Sequence, residues 1–84
     1  MSVPAHIDAH LATIATAARL LDGRHRNELE RARYNLWKTL ARGDGKAASA
    51  WFATVQVVAA TLPESVRELT DDAVDSIGEH LRSL

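Results

Sequence analysis

The sequence predicts an all-α fold, a small four-helix bundle with short connections that occupies residues 1–84 as a single domain. Three observations predict it. Alanine is abundant and β-branched residues cluster in one segment, which favours helix over sheet. Apolar residues recur at three- and four-residue steps along three stretches. The breaks between stretches carry punctuation: Asp22-Gly23, Gly43-Asp44-Gly45 and Leu62-Pro63.

The first helix is expected over about Pro4–Leu21. Proline suits a first helical turn because its missing N–H has no intrahelical partner there. Ile7, Leu11, Ile14, Ala18 and Leu21 fall in one stripe. Gly23 is expected to stop the helix in a left-handed conformation that costs glycine nothing.

The second helix is expected over Arg24–Arg42, with Leu29, Ala32, Leu36 and Leu40 as its core line and Trp37 on the flank. At ~100° per residue, Arg24, Arg31, Lys38 and Arg42 project from the opposite side, with Asn27 and Asn35 among them. That is a basic outer ridge. Arg33 falls inside the apolar stripe, so its guanidinium must snorkel to the bundle edge or meet a carboxylate.

After the Gly43-Asp44-Gly45 turn comes Ala47–Leu62, in which no residue is charged. Trp51, Val55, Val58 and Leu62 form its large face, and Ser49, Ala53, Gln56 and Ala60 its small one. A helix apolar nearly all round is expected to be covered on most sides. The small face permits close approach of another helix, from this chain or a second copy.

Leu62-Pro63 ends that helix, since a residue before proline is pushed away from helical geometry. The last segment, Pro63–Leu84, has Val66, Leu69, Ala73, Ile77, Leu81 and Leu84 on one side. Glu64, Glu68, Asp71, Asp72, Asp75 and Glu79 form an acidic ridge on the other if the helix is continuous. Thr70-Asp71-Asp72 also reads as an N-cap and acidic first turn, which would split the segment near Thr70.

The formal net charge of −1 conceals an asymmetry. Residues 19–46 carry eight Lys/Arg against four acids, a net +4, and residues 63–84 carry six acids against Arg67 and Arg82, a net −4. Such a split bears on partners more than on fold. The absence of cysteine excludes disulfides and thiolate metal sites. The N-terminal stretch lacks the basic start and long apolar run of a secretory leader. Ala47–Leu62 is shorter than the ~20 residues a bilayer span needs. A cytoplasmic location is expected. The Ala- and Arg-rich, Lys-poor composition suits a GC-rich bacterium or its phage.

No catalytic group is legible. His6 and His10 stand four apart, but a useful zinc site needs three or four ligands, and no Cys, Asp or Glu shares their face. No Ser or Thr stands with a histidine and an acid in a catalytic pattern. Gly43-Asp44-Gly45-Lys46 lacks the first glycine and the Lys-Ser/Thr ending of a phosphate loop. The expectation is a non-enzyme without cofactor or metal.

The binding readings are two. Opposed ridges that point away from their own apolar stripes suit a protein–protein interaction module: a small adaptor, regulator or inhibitor, expected to be homodimeric. Its partner-binding residues would be Arg24, Asn27, Arg31, Tyr34, Trp37, Lys38 and Arg42, the aromatic pair being the anchors. The partner is another protein, a second copy, or both, and no membrane. The alternative is nucleic acid: Ala17–Arg24 followed by a basic helix resembles a helix-turn-helix, with Arg24, Arg26, Asn27, Arg31 and Lys38 as contacts. The slightly negative whole-chain charge weighs against it.

Overall fold

The computed structural model describes residues 3–84; Met1 and Ser2, where the stretch read for a leader begins, lie outside them. Four helices follow in order: α1 (Ala5–Ala18), α2 (Gly23–Ala41), α3 (Gly45–Ala59) and α4 (Glu64–Arg82). Each packs on its chain neighbours and α4 closes back on α1, so the four stand at the corners of a bundle measuring 32 × 21 × 17 Å. A 19-residue helix is about 28 Å long, so α2 and α4 run its full length. The pairing of α2 with α3 is the most extensive, and that of α3 with α4 the least.

The expected stripes form the core except in the last segment, where Leu69 of α4, which leans over the α1–α4 groove, and Leu84, in the tail after the helix, are exposed. Ile7, Leu11 and Ile14 of α1 meet Leu29 and Leu36 of α2, Val55 of α3 and Ile77 of α4, all of them buried. A second cluster of Ala17, Ala59 and Leu62, with Leu21 and Val66 against it, plugs the far end. Two hydroxyls share the interior because each is bonded to its own helix. Thr39 Oγ1 donates to the Asn35 carbonyl at 2.8 Å, and Thr70 Oγ1 to the Arg67 carbonyl at 3.0 Å.

The turns explain where the helices stop. Gly43 takes the left-handed φ of 72° that closes α2. Its N–H donates to the Leu40 carbonyl, and the Asp44 N–H to the Thr39 carbonyl, both at 3.0 Å. Asp44 then caps α3, its carboxylate accepting from the Ala47 N–H at 3.1 Å. The cap draws the start of α3 forward to Gly45.

At the first turn the expectation fails. Gly23 is not left-handed; it is the first residue of α2, and Asp22 is the cap, accepting from the His25 N–H at 3.0 Å. Asp22 thus starts α2 and does not serve as the stop of α1. Instead α1 ends early, and the N–H groups of Arg19, Leu20 and Leu21 tighten onto carbonyls three residues back.

Two further expectations are corrected. The last segment does not split near Thr70: α4 is continuous, and the Thr70 hydroxyl is committed to the preceding turn while its side chain is buried. Nor is the central helix covered on most sides. Only Ala48, Val55, Val58 and Ala59 of α3 are buried, while Ser49, Ala50, Ala53, Thr54, Gln56, Val57 and the following Ala60 face outward. A helix at the corner of a four-helix bundle has neighbours on about half its circumference, however apolar the rest is. No helix among the described residues is long and apolar enough to cross a membrane.

Candidate functional site

The outer face of α2 presents the basic ridge. Arg24, Asn27, Arg31, Lys38 and Arg42 are all exposed, because Leu29, Leu36 and Leu40 anchor the other side of the helix. Arg24 Nε lies 3.5 Å from Glu28, an exposed pair one helical turn apart. Glu28 and Arg31, and Glu30 and Arg33, stand three residues apart on the same helix but form no ion pair. The remaining ridge cations make no ion pair among the described residues.

Tyr34 and Trp37, three residues apart on the same helix, bring their rings together. The centroids are 6.2 Å apart at an interplanar angle of 29°, a stacked arrangement. Tyr34 is 51% exposed and Trp37 39%. Since the core is complete without them, the pair forms an apolar plate at the surface beside the cations. Trp51, by contrast, is half-buried against the core. Arg33 sits between these environments: its Nε is buried without a hydrogen-bond partner and no carboxylate pairs with it. Its stem snorkels along the apolar stripe.

Next to the cations, Asp22 and His25 interact at the start of α2. The His25 backbone N–H, and after it the His25 ring, hold the Asp22 carboxyl below its ordinary range. The ring Nδ1 lies 3.1 Å from Oδ2.

The acidic ridge lies on α4, with Glu64, Glu68, Asp71, Asp72, Asp75 and Glu79 all exposed. Four of them do more than meet solvent. Glu64, Glu68, Asp71 and Asp75 line a cleft of ≈ 460 Å³ between α3 and α4, whose opposite wall is Gln56, Ala59 and Ala60. Arg67, the one cation in the cleft, donates to the Ala60 carbonyl at 3.3 Å, tying α4 to the end of α3. The helices separate here because small Ala59 and Ala60 do not fill the space. Farther along, Gly78 permits close contact; a Cβ there would stand 3.3 Å from the Phe52 ring.

Two surface features were not legible as sites. Thr13, Thr16, Ala17 and Leu20 of α1 and its tail form an apolar groove with Val66 and Leu69 of α4. The outward face of α3 is uncharged from Ala47 on, with Val57 71% exposed. The sequence signals for that face, the absence of charge and the small face of Ser49, Ala53, Gln56 and Ala60, read equally as burial within the chain. His6 meets His80 edge-on at 6.3 Å, and no group of three ligating side chains forms among the described residues.

Comparison with protein-family models, with curated proteins and with solved structures finds no match.

Proposed function

We propose that this chain is a non-enzymatic protein–protein interaction module, a small cytoplasmic adaptor, regulator or inhibitor that works as a homodimer and grips its partner with the outer face of α2. The observation that carries this is the stacked Tyr34–Trp37 plate, exposed beside Arg31 and Lys38 on a helix whose core stripe is satisfied elsewhere. Rigid aromatic area next to cations is the composition of interface hot spots. The partner's matching surface would be acidic with an apolar centre, charge steering the encounter and the rings supplying the residence time.

A photo-crosslinking amino acid at position 34 or 37, with position 8 as control, tests this in the cell that makes the protein. An adduct at 34 and 37 that survives nuclease and not protease supports the proposal. A nuclease-sensitive adduct would transfer the same face to the helix-turn-helix reading, with Arg24, Arg26, Asn27, Arg31 and Lys38 on phosphate and base. No adduct at either position removes the surface from consideration. In the first case, Tyr34→Ala or Trp37→Ala should weaken partner binding at least ten-fold with helix content unchanged.

A further inference from the structure

Three features of the surface share one side of the bundle. The hand of the packing follows from α1, whose Thr13, Ala17 and Leu20 side meets α4; its other neighbour, α2, then takes the opposite edge of the buried stripe, the edge on which the wheel places Leu11. Because short links alternate the helix directions, α3 then lies against the Thr39 edge of α2. On the helical wheel Arg24, Arg31 and Arg42 stand just beyond that edge, while Trp37 stands beyond the other. On the far side of α3, Glu64, Asp71 and Asp75 border it across the cleft. Viewed from outside, the face of α3, uncharged beyond Lys46 in its first turn, therefore has a mainly basic flank, in which Glu28 pairs with Arg24, and a mainly acidic flank, which ends in Arg82.

We infer that this face is where a second copy of the chain docks, with the two-fold axis along the bundle. The inference rests on the reading of the chain as a self-associating interaction module, and is independent of the aromatic plate. A two-fold axis parallel to α3 sets α3 against its own mate, the exposed Val57, Ala53 and Ala50 meeting their counterparts; Lys46, in the first turn of α3, is the one charge on that line and meets its own copy at the end of the face. The same rotation exchanges the flanks. The basic edge of α2 in one protomer then faces the acidic edge of α4 in the other, twice over. A two-fold axis perpendicular to α3 would set basic on basic and acidic on acidic, so the charge pattern selects the parallel arrangement. The chain exposes 5123 Å² in all, and a standard interface takes about 800 Å² from each partner. One face of the bundle, comprising α3 and its two flanks, is of that order.

The experiment pairs two charge-reversed chains. In one, Arg24, Arg31 and Arg42 become Glu; in the other, Glu64, Asp71 and Asp75 become Lys. All six positions are exposed, so circular dichroism should show both variants as helical as the parent. By sedimentation equilibrium the parent should be a dimer and each variant alone monomeric or at least ten-fold weaker. The one-to-one mixture should restore the dimer, because both flanking contacts become opposite in sign again. Val57→Arg, on the outward line of α3 near its C-terminal end, should give a monomer that mixing does not rescue. A dimer that both reversals and Val57→Arg leave intact would overturn this interface while keeping self-association. A parent that is monomeric at every concentration would overturn both, leaving the α2 surface to be judged by its own crosslinks.

Discussion

At the scale of single residues, two aspartates and one glycine define the chain's corners. Asp44→Ala removes the acceptor for the Ala47 N–H and should cost about 1 kcal/mol, lowering Tm by roughly 4–8 °C in a domain this small. Gly43→Ala forces a side chain into a left-handed conformation and should cost about 1 kcal/mol or more. Both are read from urea or thermal unfolding by circular dichroism. Asp22 adds a pH signature. Its carboxyl is held below the ordinary range in the folded chain, so its contribution is complete above the unfolded carboxylate pKa and is lost as pH falls through the folded value. The Tm gap between parent and Asp22→Ala should be open near neutrality and closed in strong acid; a gap that persists in acid would show that the charge of the cap is irrelevant. The sequence showed these corners as turn residues but misassigned Gly23. Asp-Gly is equally good as the end of one helix and the start of the next, and only the bond to the His25 N–H decides between them.

At the scale of the elements, periodicity made α1, α2 and α4 legible, because each has one apolar stripe and buries most of it, Leu69 and Leu84 of the last segment being the exceptions. It misled on α3. A sequence reports how apolar a face is, not whether a neighbour stands against it: Val58, read on the large face, is buried, while Val57, in a segment expected to be covered on most sides, is exposed. The ridges were legible as ridges. That four of the acids border a cleft with α3 was not, since it depends on Ala59 and Ala60 being too small to close the gap. Gly78 gives the test of how α3 and α4 are spaced. Gly78→Leu drives a branched side chain into the Phe52 ring and should cost about 2 kcal/mol through overpacking. Gly78→Ala should differ little from the parent, because the gain in helix propensity offsets a contact that Phe52, half-buried at the edge, can relieve. Denaturant unfolding of both variants separates the two effects. Ile77→Ala, one residue away but in the centre of the core, should cost about 3 kcal/mol.

For the whole molecule, salt should act on association and hardly on folding. The single carboxylate–guanidinium pair among the described residues, Arg24–Glu28, is exposed, and pairs of that kind contribute little. Raising salt from ~50 mM to ~500 mM shortens the reach of charge to a few ångströms. Tm measured at dilution, where monomer dominates, should therefore shift by no more than a few degrees, whereas self-association through opposed ridges should weaken severalfold. A Tm that falls steeply in salt at constant association would place the ridges inside the stability of the fold.

The edge-on meeting of His6 with His80 places the beginning of α1 beside the end of α4. Leu84 reaches within 3.9 Å of where a Cβ on Gly45 would stand, so the turn between α2 and α3 lies at that same end. The backbone is thus close to a ring, and the order in which a ribosome delivers the helices is not part of what the core requires. A circular permutant that bridges residues 84 and 3 with a short flexible linker and opens between Arg19 and Leu20, both exposed, keeps every buried side chain and the caps of α2, α3 and α4, and gives up only the bonds from Leu20 and Leu21 that tighten the end of α1. It should unfold cooperatively and present the same outer faces of α2 and α3. The molecule can in that way be displayed, tagged or fused from its opposite pole.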